Sequence, residues 1–237
     1  MNVLLLNTGN EFPGYFLSFM NQKELLERTE NYVRETLKNA EAGHDWFHIE
    51  RVRNTARLIA KTESVDALVV ELAALLHDIA DSKFNNGDEE LGPRLAGEFL
   101  TAQGLDTERI VHVQQIMRHM SFKASFDAKT FSSPEMEVVQ DADRLDAIGA
   151  IGIARAFTYG GHKNRELYNP AIQPNLNMSR EEYKHTTAPT INHFYEKLLL
   201  LKDKMNTETG KRLAEQRHQY MLGFLEQFYA EWNASEL

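Results

Sequence analysis

Apolar residues recur at helical spacing along almost the whole chain, and this periodicity constrains the fold more than any other feature. The spacing is clear in Ile49, Val52, Ala56 and Ile59, which form one face of a helix. We find no convincing alternation of apolar and polar residues of the kind that a half-buried strand shows, and no internal repeat. The sequence therefore predicts an all-α protein, folded as a helical bundle.

The segment from Asp66 to Ala80 is apolar on nearly every side, as expected of a helix in the middle of a bundle. Its apolar residues are Leu68, Leu72, Leu75, Leu76 and Ile79. An adjacent polar pair, His77-Asp78, lies near the end of this helix. Two such groups are costly to bury unless a partner such as a metal satisfies them.

Capping residues mark the other helices. Asp45 is expected to cap a helix that carries His48, and Ser133-Pro134 to begin one that displays Asp143. Gly160–Ser179 is the longest irregular stretch, and we expect it to act as a lid. Further helices are expected over Asp88–Gln103, closed by Gly104, over Thr107–His119 and over Thr207–Trp232. Ser179-Arg-Glu-Glu182 is a capping box. Pro189 is expected to start or kink the helix that runs to Leu201.

Composition narrows the class of partner. The chain has 237 residues, a formal net charge of -9 and no long basic run, which argues against nucleic acid as the main partner but leaves room for one phosphorylated molecule. It has no cysteine, so a metal site must use nitrogen and oxygen ligands. The lack of cysteine also fits a cytoplasmic location, where thiols stay reduced.

The N-terminal segment reads differently from the rest. Residues 1–19 lack the basic start, continuous apolar core and cleavage pattern of a signal peptide, and Met20 precedes a clean helical pattern. We therefore expect a short extension over residues 1–19 and one helical domain over residues 20–237. No apolar run approaches the roughly 20 residues that span a bilayer, so no membrane contact is expected.

A scattered set of histidines and aspartates could hold one divalent metal. The set comprises His48, the pair His77-Asp78, and Asp143. Two imidazoles and two carboxylates suit a borderline metal, and four ligands on an ion that prefers six leave positions open for water or a phosphate oxygen. Singly, each residue is more often a core histidine or a solvated or capping aspartate. Together, on the core sides of separate helices, they indicate a hydrolytic site.

Four motifs carry a family resemblance. They are Gly43-His-Asp-Trp-Phe-His48-Ile-Glu-Arg-Val52, Leu76-His-Asp-Ile-Ala-Asp-Ser-Lys-Phe84, Ser121-Phe-Lys123 and Asp141-Ala-Asp-Arg-Leu-Asp-Ala-Ile-Gly149. Their order resembles the HD-domain superfamily of metal-dependent phosphohydrolases, whose pattern is His, then His-Asp, then a distant Asp, all on helices. The resemblance covers nearly all of the chain after Met20. Within the superfamily, the chain resembles a small stand-alone bacterial group. Some members of that group are similar to pyrophosphohydrolases of deoxynucleoside triphosphates.

The resemblance implies an HD-type helical bundle in which His48, His77, Asp78 and Asp143 bind a divalent ion, such as Mn²⁺, Mg²⁺ or another first-row transition metal. The fourth ligand has neighbouring rivals in Asp141 and Asp146. Successive helical residues are about 100° apart, so Asp141 and Asp143 cannot share a face and only one of them should reach the metal. Asp143 fits the family's Ala-Asp spacing.

Catalytic roles are expected close to these ligands. Asp78 could orient the attacking water in addition to binding the metal, and His44 and Asp45 could act as proton donors or support the ligands. The alternative for this pair is that Asp45 only caps its helix and His44 is exposed. Phosphate charge needs cationic partners, and the candidates near the motifs are Lys83, His119, Lys123 and Arg144. Each alone could be an ordinary surface charge. His119 is the preferred further site residue, because the resemblance implies additional histidines that bind phosphate or a second metal.

The sequence thus predicts a metal-dependent phosphohydrolase whose substrate is a nucleotide, with a nucleoside triphosphate and pyrophosphate release as the specific expectation. One alternative is a 5'-nucleotidase-type phosphomonoesterase. Another is a non-catalytic nucleotide-binding module. Cyclic dinucleotide cleavage is disfavoured because the Gly-Tyr-Pro element of that branch is absent, and alarmone hydrolysis because the accompanying synthetase and regulatory regions are missing.

Overall fold

The architecture is helical throughout the residues that the computed structural model describes, which are 21–38, 40, 45–80, 88–120, 131–179, 182 and 186–235. No strand occurs in these ranges, which confirms the all-α prediction. Within the same ranges no helix combines the length and the apolar character of a bilayer span. The helices are α1 (Gln22–Thr36), α2 (Trp46–Ala60), α3 (Ala67–Leu76), α4 (Leu91–Ala102), α5 (Thr107–His119), α6 (Pro134–Asp146), α7 (Gly149–His162), α8 (Thr190–Glu196), a 3₁₀ helix (Leu198–Lys204) and α9 (Glu208–Trp232).

Helix α3 lies at the centre of the bundle, in contact with α1, α2, α5 and α6. From Leu68 to Leu76 every residue except Glu71 is buried, as the predominantly apolar sequence predicts. The carboxylate of Asp66 accepts hydrogen bonds from the backbone N–H groups of Leu68 and Val69 and so caps the first turn. The helix ends earlier than the predicted Ala80, because residues 77–80 form a turn. His77 and Asp78 therefore lie at the end of the most buried helix.

Helices α2 and α6 pack against each other and bring two distant motifs together. Asp45 caps α2 as expected, accepting from the backbone N–H of His48 at 3.0 Å. Ser133 caps α6 in the same way at 3.1 Å, with Pro134 in the first turn. The first turn of α2 consequently lies beside the last turns of α6.

The connection between α6 and α7 depends on two glycines. Gly149 has a φ of +75°, a left-handed conformation that favours glycine, and it begins α7. A Cβ on Gly152 would lie 2.2 Å from the carbonyl oxygen of Ala147, so only glycine fits there. This tight turn leads α7 back past the end of α6 and brings Arg155 to Asp146.

One predicted helix was too long. The helix expected to run from Pro189 to Leu201 ends at Glu196, and Lys197 leaves the helical conformation with φ of -145° and ψ of -58°. The chain continues as a 3₁₀ helix, in which residues three apart lie one above the other. Because Leu198 and Leu201 have this spacing and are both buried, the 3₁₀ geometry places both in the core.

Candidate metal centre

His48 is held in the first turn of α2 with almost no exposure to solvent. The residue is 1% exposed, and its ring nitrogen Nδ1 lies 2.8 Å from Oδ2 of Asp146 on α6. An ionised carboxylate can only accept a hydrogen bond, so Nδ1 is the donor and Nε2 carries a lone pair. Burial is the largest influence on the His48 pKa and lowers it, which favours this neutral ring.

His77 is oriented by the end of α3. Its Nδ1 lies 2.9 Å from the carbonyl oxygen of Ala74, one turn earlier, and must donate to it. The lone pair of a neutral His77 ring is therefore also on Nε2, which lies 3.3 Å from Nε2 of His48. Two hydrogen-bond acceptors this close are unfavourable unless a cation or a proton lies between them.

Two carboxylates complete the cluster. Oδ2 of Asp78 is 3.8 Å from Nε2 of His48. Oδ1 of Asp143 is 3.5 Å from the same nitrogen and 4.0 Å from Nε2 of His77. The ligand atoms of His48, His77 and Asp78 all lie within 4.8 Å of one another, and this group can hold a metal ion. Two imidazole nitrogens and two carboxylates match the ligand preference of a divalent cation.

The structure distinguishes the three aspartates of α6. Asp141 is 0% exposed and accepts hydrogen bonds from the backbone N–H groups of Asn206 and Thr207 and from the Thr207 hydroxyl, so it holds the start of α9. Asp146 binds His48 from behind. Of the three, Asp143 is the one whose carboxylate lies near both Nε2 atoms, as the family spacing implies.

The sequence did not predict the residues that support His48 on the side away from the cluster: Asp146, Arg51 and Arg155. Asp146 accepts from Arg51 Nε at 2.7 Å and from Arg155 Nη1 at 2.5 Å, in addition to His48. Burial opposes ionisation of this carboxyl, but the hydrogen bonds from His48 and Arg51 and the charge of Arg155 outweigh burial and hold the Asp146 pKa well below its usual range. Asp146 thus stays ionised and fixes the His48 ring. The sequence could have indicated Arg51 and Asp146, because each lies three residues after a predicted ligand, His48 or Asp143, and such residues share a helix face. No comparable spacing in the sequence indicates Arg155.

The structure describes only some of the predicted phosphate-binding and proton-transfer residues. Arg144 donates to the backbone carbonyl of Lys204, a contact that holds the 3₁₀ helix. His119 ends α5, with Nδ1 2.9 Å from the carbonyl of Gln115 and its ring 5.5 Å from that of Phe131. The charge of Arg144 also interacts with that of Asp143 in the cluster. The remaining candidates lie outside the described residues: His44, Lys83 and Lys123.

Comparison with known proteins identifies the family. A sequence profile described as "HD domain" matches residues 46–148, a range that contains all four clustered residues. The chain is 39% identical over 209 residues to YpgQ of Bacillus subtilis, covering 88% of this chain and 94% of that protein.

Solved structures agree with the sequence comparison. The crystal structure of an HD-superfamily hydrolase from Bacillus thuringiensis superposes with a TM-score of 0.73 at 43% identity, covering 91% of this chain and 100% of that one. The structure of Bacillus subtilis YpgQ in complex with ADP superposes with a TM-score of 0.69 at 36% identity, covering 87% and 97%. The chain therefore belongs to the HD-domain superfamily and is a metal-dependent phosphohydrolase.

Proposed function

We propose that the protein hydrolyses a nucleoside triphosphate to a nucleoside monophosphate and pyrophosphate. The observation that carries the proposal is the convergence of His48 and His77 Nε2 with the carboxylates of Asp78 and Asp143. The nucleotide is suggested by the relative YpgQ, whose structure was solved in complex with ADP. A non-catalytic binding module is a poorer fit, because degraded sites typically lose a ligand and here all four are present.

His48, His77, Asp78 and Asp143 would hold the divalent ion, for which we propose Mn²⁺, Mg²⁺ or another first-row transition metal. Bound there, such a cation lowers the pKa of water and offsets the negative charge of a phosphoryl group. Asp146 keeps the His48 lone pair directed into the site through the 2.8 Å hydrogen bond. The ligand set would leave open positions for water and substrate.

The reaction needs a residue to receive the proton of the attacking water. Asp78 fits this role, because its side chain is partly exposed beside the cluster and a carboxylate has a second oxygen that can accept a proton. The water oxygen forms a bond to the α-phosphorus, the bond from that phosphorus to the bridging oxygen breaks, and pyrophosphate leaves. Asp45, which caps α2 beside His48, and His44 remain our candidates for supplying a proton to the leaving group.

Cationic residues must offset the substrate's charge. We add Arg51 to the sequence-based candidates Lys83, His119, Lys123 and Arg144, because it lies on the same helix face as His48. Arg51 binds Asp146 through Nε and Nη2. No residue that the structure describes accepts from Nη1, whose N–H groups we propose for a phosphate oxygen.

The direct test is to incubate the protein with a panel of nucleoside triphosphates and Mn²⁺ or Mg²⁺ in ¹⁸O-labelled water. The proposal predicts pyrophosphate as product and the label in the monophosphate, because the water oxygen is added to the α-phosphorus. Release of inorganic phosphate, with turnover of monophosphates, would instead support the 5'-nucleotidase alternative. Metal uptake and nucleotide binding without any turnover would support the binding module.

A further inference from the structure

A second pocket, of about 240 Å³, lies between residues 168–174, α8 and α9, and it shares no residue with the metal cluster. Three tyrosines line it, together with two residues that carry side-chain amides: Tyr168, Tyr195, Tyr229, Gln173 and Asn192. The irregular stretch that the sequence suggested as a lid therefore forms one wall of this pocket. No charged side chain of the described residues lines it.

The aromatic wall is held in place by ring contacts. The ring of Tyr168 meets Tyr229 edge to face at 5.3 Å and Trp232 at 5.0 Å. The Tyr195 hydroxyl donates to the Tyr229 hydroxyl at 3.2 Å. Within the described part of the chain, no acceptor receives the proton of Tyr229 itself. Burial raises the Tyr229 pKa, so this hydroxyl is protonated near neutral pH and can donate to a ligand.

Only one end of the Asn192 side-chain amide has a hydrogen-bond partner among the described residues. The residue is 1% exposed, and its Nδ2 donates to the backbone carbonyl of Ile172 at 2.9 Å. This bond fixes the orientation of the amide, since a carbonyl cannot donate. No residue that the structure describes donates to Oδ1. Because Asn192 lines the pocket, its Oδ1 is an acceptor that a ligand in the pocket can use.

We propose that this pocket binds a neutral, planar nitrogen heterocycle of nucleobase size. The Asn192 Oδ1, to which no described residue donates, can accept a hydrogen bond from an N–H group of a base such as adenine or uracil. Tyrosine rings supply faces and edges on which bases stack. The absence of charged lining residues disfavours a phosphate group. The volume is below the roughly 300–1,000 Å³ of sites for drug-sized ligands, which suits a single base.

The test measures binding of adenine and uracil to the full chain without metal, by saturation-transfer NMR and calorimetry, with inorganic phosphate as the comparison. We expect at least one base to bind and phosphate not to bind at this site. Asn192→Leu should weaken the base about tenfold, because it removes the hydrogen-bonding edge. Gln227→Leu, which removes an exposed amide of α9, is the matched control and should bind like the wild type.

A further variant separates this pocket from the metal cluster. His77→Ala should bind the base unchanged, whereas loss of binding in His77→Ala with retention in Asn192→Leu would assign the base to the catalytic site and overturn the proposal. Failure of both bases to bind the wild type would also overturn it. If circular dichroism shows that Asn192→Leu does not fold, Tyr195→Phe and Tyr229→Phe decide the question. We expect each to weaken binding severalfold, and unchanged binding in both would refute the inference.

Discussion

His48 and Asp146 are joined by a 2.8 Å hydrogen bond between Nδ1 and Oδ2, across the contact between α2 and α6. The bond fixes the proton of His48 on Nδ1, so the lone pair of Nε2 faces His77, Asp78 and Asp143. Arg51 and Arg155 hold the carboxylate from other sides. The ring of His48, which we propose as a metal ligand, is thus oriented by the carboxylate of Asp146.

The first prediction concerns Asp146→Asn. The amide keeps the size of the side chain but loses the charge that holds His48 and both arginines. Loss of such a supporting group typically weakens metal binding about 10- to 100-fold. Calorimetric titration with Mn²⁺ measures the effect, and Asp106→Asn, at the exposed cap of α5, is the control. Equal Mn²⁺ affinity in wild type and Asp146→Asn would show that Asp146 does not position His48.

The second prediction concerns the ligands His77 and Asp78. His77→Ala and Asp78→Ala should each abolish turnover by removing a metal ligand, while far-UV circular dichroism stays close to that of the wild type. Both residues follow the last residue of α3, so the substitutions leave the sequence of the helix itself unchanged. His162→Ala, at the exposed end of α7, is the matched control. Wild-type turnover in either ligand variant would refute the assignment.

The third prediction separates Asp141 from Asp143, two residues apart on α6. Asp141→Ala leaves the buried N–H group of Thr207, at a cost of about 1–3 kcal/mol, and the part-buried N–H group of Asn206 without their acceptor. Denaturant unfolding should therefore show a large loss of stability. Asp143→Ala, with a side chain 37% exposed, should unfold like the wild type but lose metal affinity. The reverse pattern would mean that the roles of the two aspartates have been exchanged.

The fourth prediction concerns pH and His193 on α8. Burial, followed by the charges of Lys197 and Arg165, lowers the His193 pKa to about 3. Below about pH 6.5 the His193 imidazole is protonated in the unfolded chain but stays neutral in the folded chain. The free energy of unfolding therefore falls as the pH drops from about 6.5 towards 3. The slope is at most about 1.4 kcal/mol per pH unit. His193→Gln should flatten the dependence of unfolding free energy on pH relative to wild type and to His162→Gln, and an unchanged slope would contradict it.

Much of the fold was predictable because helical periodicity and caps are local signals. Asp45 and Ser133 cap α2 and α6 as expected, and the predominantly apolar sequence of α3 indicated its central position. The end of α8 was not predictable, because residues 190–201 have no helix-breaking residue after Pro189. The 3₁₀ geometry follows from the tertiary burial of Leu198 and Leu201.

The candidate site was predictable where residue type alone indicates chemistry. His48, His77, Asp78 and Asp143 could be singled out because imidazoles and carboxylates on core faces need partners. Arg155 could not be found in this way, since only the tight turn at Gly149 and Gly152 brings α7 back to Asp146. An arginine looks alike in sequence whether it lies on the surface or behind a metal site.

The most direct test of the central claim is the stoichiometry and affinity of Mn²⁺ binding, measured by calorimetry on wild type, His48→Ala, His77→Ala and His162→Ala. We predict one high-affinity ion per chain in the wild type and in His162→Ala, with that binding lost in His48→Ala and His77→Ala. No high-affinity binding in the wild type, or equal binding in all four proteins, would contradict the claim that these side chains converge on one cation.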